Sequence, residues 1–193
     1  MNMKAAKKSK GTGKKDLAVE IKIPEGLSVD LNNGVLVLKG QKGEVKRNFL
    51  DKKVSIESKS GSIVLRAGKF SKMKKKIIKS YASHIKNMIE GSREGHKYTL
   101  KICSGHFPMN VSVSNNELVV KNFLGEKVPR VLKLKQGAAI KVEGDKIIVQ
   151  SASKELAGQI SADIEQLTRR TGYDPRIFQD GIYITNKGSK ELK

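Results

Sequence analysis

The chain has 193 residues and a formal net charge of +20, with 39 lysines and arginines against 19 acidic residues. A soluble domain typically carries a net charge of about 2 to 8, so this excess favours a polyanionic partner, nucleic acid first, over a merely soluble protein with surplus lysine. No segment approaches the roughly 20 apolar residues that span a bilayer, and the basic start lacks the apolar core of a signal peptide. The single cysteine excludes a disulfide framework, so we predict that the protein resides in a reducing cytosol.

Residues 1–16 form a basic segment with little to bury. Glycine, serine, threonine and alanine separate its lysines, and only two methionines are large and apolar. Such a composition cannot form a core of its own. We therefore predict a disordered tail that carries six lysines: Lys4, Lys7, Lys8, Lys10, Lys14 and Lys15.

Residues 17–90 read as short strands followed by a helix. Apolar and charged residues alternate around Ile21, which predicts a half-buried strand, and Asn32-Asn33-Gly34 predicts a hairpin turn. Further short strands follow up to Arg66. A spacing of three and four residues then predicts a helix whose apolar face consists of Met73, Ile77, Tyr81, Ile85 and Met88.

Residues 91–187 repeat this order. Alternation resumes at Tyr98, a turn falls at Asn115-Asn116, and a second hairpin is predicted around Gly144-Asp145. Ser153 is the expected N-cap of a second helix, with Glu155 in its first turn. The apolar face of that helix is predicted to be Leu156, Ile160, Ile164 and Leu167.

An internal duplication connects the two parts. Val37-Leu38-Lys39-Gly40-Gln41-Lys42-Gly43-Glu44 is echoed by Val119-Val120-Lys121-Asn122-Phe123-Leu124-Gly125-Glu126 at an offset of 82, and the stretch before it matches with one residue of slippage. A period this long suits a small domain and not a solenoid repeat. We predict an α+β protein made of two tandem copies, 17–90 and 91–187, each with an antiparallel sheet and one packed helix, and a short tail at 188–193.

Lysines crowd the start of the first predicted helix. No acidic residue accompanies Lys69, Lys72, Lys74, Lys75, Lys76 and Lys79, although the helix dipole favours acids there and like charges repel. The cluster is either a solvated helix face or a surface where phosphates compensate the repulsion.

Aromatic residues make up only 5% of the chain, which favours recognition of phosphates and shape over base stacking and leaves folded RNA and duplex DNA both open.

Motifs that would carry chemistry are absent from the sequence. Gly40-Gln41-Lys42-Gly43 has the G-x-x-G form of a KH loop but lies between predicted strands, and residues 11–15 imitate a P-loop without its spacing. Three scattered histidines and one cysteine cannot build a zinc site. Cys103, three residues before His106, is expected to be a core residue and not a nucleophile. We predict no enzymatic activity, no metal and no cofactor.

The C-terminal stretch resembles a known family. Arg176-x-Phe178-x-Asp180-Gly181-Ile182-Tyr183-Ile184-x-x-Lys187 is similar to the signature of the L-six family of large-ribosomal-subunit proteins, in its archaeal and eukaryotic-type branch. His106-Phe107-Pro108 and Asn122-Phe123-Leu124-Gly125-Glu126-Lys127 agree with it. The resemblance implies a cytoplasmic constituent of the large ribosomal subunit that binds large-subunit rRNA near the sarcin-ricin loop, beside neighbouring ribosomal proteins and the landing site of translational GTPases.

The resemblance also implies that the second copy makes the main rRNA contacts. The residues expected to meet phosphates are Arg169, Arg170, Arg176, Lys187, Lys121 and Lys127, to which the charge cluster adds Lys72, Lys75 and Lys76. Asp180 is expected to orient Arg176 or to cap a turn, and Phe178 and Tyr183 are expected to be apolar anchors more than base-stacking platforms. The alternative function is a free-standing basic protein that organises RNA or DNA.

Overall fold

A computed structural model describes residues 17–51, 53–59, 61–68, 71–174, 176–188 and 190–191. The predicted tail at 1–16 and Lys69 lie outside the described residues. The chain divides into two compact units. The first comprises the described residues up to Glu25 together with Val29–Val37 and Lys46–Lys86, and the second comprises Gly26–Ser28, Leu38–Val45 and the described residues from Asn87 onward. The limits predicted at 17–90 and 91–187 stay predictions.

The first copy of the fold consists of six strands and a long helix. Its strands form two sheets, ordered β1-β6-β5 and β2-β3-β4, and β6 pairs with both of its neighbours in antiparallel fashion. The elements are β1 (Leu17–Lys22), β2 (Ser28–Asn32), β3 (Val35–Gly40), β4 (Gly43–Asn48), β5 (Ser55–Lys59), β6 (Ser62–Ala67) and α1 (Lys72–Arg93).

The second copy repeats this order and extends it. Its sheets are ordered β10-β9-β8 and β11-β12-β7-β13-β14. The elements are β7 (His96–Cys103), β8 (Asn110–Ser114), β9 (Glu117–Lys121), a short 3-10 helix (Phe123–Gly125), β10 (Arg130–Lys133), β11 (Ala138–Glu143), β12 (Lys146–Ser151), α2 (Lys154–Leu167), β13 (Gly181–Lys187) and β14 (Lys190–Glu191).

The predicted α+β duplication is confirmed, with a refinement. The order β11-β12-β7 repeats β5-β6-β1, and β10-β9-β8 repeats β4-β3-β2. Each copy therefore divides its strands between two sheets. In the first copy β1 is an edge strand, whereas its counterpart β7 is flanked by β12 on one side and β13 on the other. The C-terminal signature supplies this added strand.

Equivalent hairpin turns set the register of the duplication. Asn33 and Gly34 have φ angles of 48° and 76°, and Asn115 and Asn116 have φ angles of 49° and 63°. Two consecutive left-handed residues are what a two-residue hairpin turn requires, and asparagine and glycine adopt that conformation at low cost. Because 33 and 34 correspond to 115 and 116 at the offset of 82, the predicted one-residue slippage is wrong.

The buried face of α1 differs from the predicted face at its start. Met73 is 59% exposed, whereas Ile78, Ile85 and Met88 are buried. The predicted spacing of four residues drifts around a helix of 3.6 residues per turn, so its first member leaves the core side. In α2 the predicted N-cap is confirmed, because the Ser153 hydroxyl accepts a hydrogen bond from the Leu156 N–H at 3.4 Å.

The core of the second unit lies between its sheets and α2. Ile160 and Ile164 of α2 are buried as predicted, while Leu156 and Leu167 are half-buried at the margin of this core. Residue Ile182 of β13 is fully buried in the same cluster, so the added strand is part of the core. The other members of the core include Tyr98, Leu100, Leu118, Val120, Phe123, Ile147 and Val149.

Candidate nucleic-acid interface

A buried carboxylate fixes the segment between α2 and β13. We call residues 169–174 and 176–180 the C-terminal segment. Its last residue, Asp180, is 6% exposed and accepts hydrogen bonds from the Gly105 N–H at 2.7 Å, the His106 N–H at 3.0 Å and the His106 ring Nδ1 at 2.6 Å. Burial opposes ionisation, but the hydrogen bonds from His106 and Gly105 hold the pKa of Asp180 below its usual range.

Aromatic rings support the same segment. The Phe178 ring stacks on the His106 ring with centroids 5.0 Å apart and planes 24° apart, and it meets the Tyr173 ring edge-on at 4.9 Å. The Arg170 guanidinium lies over the Tyr173 ring, 4.4 Å from its centroid. Such contacts each add a stabilising term beyond burial. The C-terminal segment therefore has a defined shape, and Phe178 serves as the anchor that the sequence predicted.

Of the two roles expected for Asp180, orienting Arg176 is wrong, whereas capping a turn agrees with its hydrogen bonds from the backbone of the bend at Gly105 and His106. The Asp180 carboxylate accepts hydrogen bonds from Gly105 and His106. Arg176 is paired with Asp174 instead, and the Asp174 carboxylate lies 3.2 Å from Arg176 Nε and 3.0 Å from Arg176 Nη2. Hydrogen bonds from Arg176 lower the pKa of Asp174 and raise the pKa of Arg176 itself. The Arg176 side chain remains 88% exposed, so it can reach a phosphate.

A strained loop lies beside the C-terminal segment. In residues 122–126, which we call the left-handed loop, Asn122, Leu124 and Gly125 have φ angles of 59°, 48° and 77°. A leucine in this conformation costs energy, which the surrounding contacts must offset. Phe123 fixes the loop in the core, and Glu126 at its end binds two arginines.

The ion pairs that hold this loop were not predicted from the sequence. Arg130 donates to Glu126 through Nε at 2.8 Å and Nη2 at 2.6 Å, and it donates through Nη1 to the Leu167 carbonyl oxygen at 2.7 Å. Its guanidinium also lies 4.4 Å from the centroid of the Phe123 ring. The spacing of four residues between Glu126 and Arg130 was the available signal, but it lies in a loop and strand where helical spacing rules do not apply.

Glu126 also forms an ion pair with one of the residues predicted to bind phosphate. Arg170 lies 3.3 Å from Glu126 Oε1 and is one third exposed. Hydrogen bonding by Arg130, with the charges of Arg130 and Arg170, lowers the pKa of Glu126 against the opposing effect of burial. Part of the Arg170 charge is therefore committed to an internal partner.

The other predicted residues of the second copy fall into two groups. Arg169 is exposed on the C-terminal segment, and Lys121 and Lys127 are exposed on either side of the left-handed loop. These three residues and Arg176 belong to the region organised by Asp180 and Glu126. Lys187 lies at the far end of β13, and six residue steps in a strand place it about 20 Å from Gly181.

A cleft opens where the C-terminal segment meets the left-handed loop. It has a volume of about 460 Å³, and Gln166 and Arg169 contribute polar groups to its lining. Burial is the largest cause that raises the pKa of the Tyr183 hydroxyl, which therefore stays protonated at neutral pH. The apolar part of the lining consists of Leu124, Tyr173, Phe178 and Tyr183.

In the first unit the predicted lysines share one face of α1. Lys72, Lys75 and Lys76 are exposed, and together with Lys79 and Lys86 they lie along one flank of the helix, roughly 60° to 160° around its axis from the buried Ile78. We call these five residues the lysine face, and it spans about 21 Å. Within the described part of the chain none of the five forms an ion pair. Lys74 instead donates to the Gly68 carbonyl oxygen.

The described residues contain no group of three or more histidine, cysteine, aspartate or glutamate side chains that could hold a metal ion. In the same residues no helix is both long enough and apolar enough to span a bilayer.

Known proteins match most of the chain. The family model described as ribosomal protein L6 matches two segments, residues 23–95 and 107–181. A large ribosomal subunit protein uL6 from Methanosarcina mazei is 45% identical over 173 residues, covering 90% of this chain and 98% of the relative. Proteins of the same name from Methanocella arvoryzae and Methanococcus vannielii are each 41% identical, covering 87% and 90% of this chain and 96% and 95% of the relatives.

Proposed function

This chain belongs to the ribosomal protein L6 family, and we propose that it is a structural constituent of the large ribosomal subunit, in the cytoplasm, that binds large-subunit rRNA and catalyses no reaction. The relatives are named as a large ribosomal subunit protein, and the match covers 98% and 96% of their lengths. The two segments of the family match fall one in each copy of the fold, from β2 to α1 and from β8 to α2, so the membership applies to both.

One observation carries the proposal that the C-terminal segment contacts rRNA. Arg169 and Arg176 project from a backbone that is held by the buried Asp180 and by the stacked rings of His106, Phe178 and Tyr173. Because the backbone is already fixed, the segment loses little backbone entropy on binding, and the planar forks of its arginines match phosphate oxygens. With a net charge of +20, the chain has the field that attracts a polyanion to such a site.

The proposed surroundings follow from the family resemblance. We place the protein near the sarcin-ricin loop of the rRNA, beside neighbouring ribosomal proteins and within reach of translational GTPases as they land on the subunit. The lysine face of α1 is a second phosphate-binding surface in this proposal, because its charges have no described ionic partner.

The salt dependence of rRNA binding tests the proposal. The purified chain is titrated with deproteinised large-subunit rRNA at several salt concentrations, and the slope of log K against log salt is compared between variants. Replacing Arg169 and Arg176 together by glutamine is expected to lower the magnitude of the slope by up to about 2. Wild-type binding that is weak and independent of salt would refute the proposed function.

A charge-matched control separates contact from total charge. Lys141 and Lys146 are exposed at the other end of the five-stranded sheet, where β11 and β12 pair. Their joint replacement by glutamine removes the same charge and should change the slope by less than the arginine pair does. If both pairs lower the slope equally, the C-terminal segment is not a preferred contact.

A free-standing architectural protein is the second candidate. The lysine face favours it, because five lysines along one helix face, none of them in an ion pair among the described residues, can bind phosphates of DNA and RNA alike. Competition by duplex DNA at equal salt distinguishes the two functions. Effective competition with rRNA would support the second candidate, and absence of competition would support the first.

A further inference from the structure

The aromatic residues of this chain are few, but they are concentrated in one place. The chain has nine, and five of them, Phe107, Phe123, Tyr173, Phe178 and Tyr183, lie on or beside the C-terminal segment and the left-handed loop. Among the described residues, every aromatic side chain counted as exposed belongs to this group: Phe107, Tyr173 and Tyr183. The low overall content therefore conceals a local excess.

Two of these exposed rings border the cleft between the C-terminal segment and the left-handed loop. Tyr173 and Tyr183 are each 43% exposed, and both line the cleft. We call this site the aromatic cleft. Its volume, about 460 Å³, is within the range of sites that enclose small organic ligands. Partly exposed tyrosine rings facing such a space offer flat apolar surfaces on which another ring can stack.

The lining of the aromatic cleft includes two carboxylates, Glu165 and Asp180. Both already accept hydrogen bonds within the protein: Glu165 Oε1 from the Ile184 N–H at 3.2 Å, and Asp180 from Gly105 and His106.

The arginines and the amide of the aromatic cleft complement a nucleotide. Arg169 lines it, and Arg170 enters it with its guanidinium plane fixed between the Tyr173 ring and Glu126. The side-chain amide of the lining residue Gln166 makes no hydrogen bond to any described residue. Arginines suit the phosphate, a free amide can pair with the edge of a base, and the tyrosine rings suit its face.

We propose that the aromatic cleft receives one unstacked base of the bound RNA, with Tyr183 as its stacking platform and Arg169 at its phosphate. This inference rests on the proposed function, since it assumes that the C-terminal segment meets RNA. Single-stranded loops and bulges present splayed bases of this kind, whereas the interior of a regular helix does not. The segment would therefore recognise an irregular RNA element and would not follow a duplex backbone alone.

Binding by ring variants is the first test. The full chain and its Tyr183→Leu and Tyr183→Phe variants are titrated with deproteinised large-subunit rRNA at several salt concentrations. Loss of the ring in Tyr183→Leu is expected to weaken binding about 10-fold at every salt concentration, leaving the slope unchanged, because stacking displaces no counterions. Tyr183→Phe keeps the ring and should bind within about twofold of wild type.

Binding by wild type and by Tyr183→Leu together distinguishes the failure of this inference from the failure of the proposed function. If wild type does not bind rRNA, the proposed function fails. If wild type binds and Tyr183→Leu binds equally well, only the base-binding inference is overturned. Thermal melting of each variant, compared with wild type, shows whether a weakened variant is still folded; if Tyr183→Leu is unfolded, the crosslinking experiment decides the inference.

Crosslinking in intact large subunits locates the base directly. Short-wavelength irradiation, nuclease and protease digestion and mass spectrometry identify the residue that carries a nucleotide adduct. A single-nucleotide adduct on Tyr173 or Tyr183 is expected. The inference is overturned if adducts occur on the C-terminal segment but on neither tyrosine, or if a peptide of a neighbouring protein is crosslinked there.

Discussion

The two copies of the fold present positive charge in opposite ways. On α1 the five lysines of the lysine face have no ionic partner among the described residues. In the second copy Arg130 and Arg170 share Glu126, and Arg176 pairs with Asp174. The first surface offers charge on flexible side chains, and the second offers arginines whose positions are set by carboxylates and rings.

This difference has a physical consequence for recognition. Unpaired lysines attract any polyanion through the field, and they order their long side chains only when they bind. Arginines that are already oriented lose less entropy and impose a geometry on the phosphate or base they meet. We therefore expect the first copy to contribute mainly to the salt-dependent affinity and the second copy to contribute specificity.

Removing the carboxylate that fixes the C-terminal segment should have the largest effect. In Asp180→Ala, the N–H groups of Gly105 and His106 lose the acceptor that a buried side chain supplies, and the segment loses the hydrogen bond that fixes it to the His106 ring. We expect a loss of about 3 kcal/mol in the free energy of unfolding, measured with urea. Asp180→Asn keeps one oxygen for the two N–H groups and should lose about half as much. Equal losses would show that the charge matters more than the acceptor geometry.

The hydrogen bonds of the Arg130 guanidinium provide the second test of the difference between the two copies. Arg130→Lys keeps the charge but cannot bind Glu126 through two nitrogens, reach Leu167 and cover Phe123 together. We expect it to destabilise the protein by about 2 kcal/mol. The control is Arg66→Lys, because the exposed Arg66–Glu57 pair at 3.7 Å should be worth less than about 0.5 kcal/mol. A similar loss at both positions would contradict the claim that the second copy is specially ordered.

A smaller effect is expected from acid. The pKa of Asp180 is lower in the folded protein than its ordinary value of 3.8, so the unfolded chain binds this proton first as the pH falls. The stabilisation is complete above the unfolded pKa and is lost as the pH decreases through the folded pKa. Wild-type stability measured by urea between pH 6 and pH 3 should therefore fall more steeply than that of Asp180→Asn. Parallel curves would assign the acid dependence to other groups.

The sequence predicted the duplication well because its determinants are local. The alternation around Ile21 and Tyr98, the hairpin turn at Asn115-Asn116 and the Ser153 cap depend on residues a few positions apart. The buried face of α1 was predicted less well, because the burial of Ile78 and the exposure of Met73 depend on which residues lie opposite the helix.

The candidate site was predicted in composition but not in geometry. Arg176 was singled out, yet its partner is Asp174 and not Asp180. Asp180 instead meets His106 across 74 positions of sequence, and Arg170 meets Glu126 across 44. Pairs so distant leave no periodic signal. The aromatic cleft was missed for the same reason, since the average aromatic content gives no indication that the rings converge in space.

The smallest predicted effect compares the first residues of the two helices. Lys72 begins α1 without an acidic residue in the first turn, and Lys154 begins α2 beside Glu155 and donates to Asn87 Oδ1 at 3.1 Å. Lys72→Glu removes repulsion from Lys75 and Lys76 and places an acid at the positive end of the dipole, so it should stabilise the isolated protein by about 0.5 to 1 kcal/mol in urea.

The same variant should bind rRNA more weakly, with a slope lower by about 1. Lys154→Glu is the matched control: it also places an acid at the positive end of a helix dipole, but it adds repulsion with Glu155 and removes the hydrogen bond to Asn87, so no net stabilisation is expected. If Lys72→Glu raises the free energy of unfolding and weakens rRNA binding, the lysine face serves binding at a cost to the stability of its own helix. If Lys72→Glu stabilised the protein and left rRNA binding unchanged, the lysine face would be a solvated surface and the division of roles between the two copies would fail.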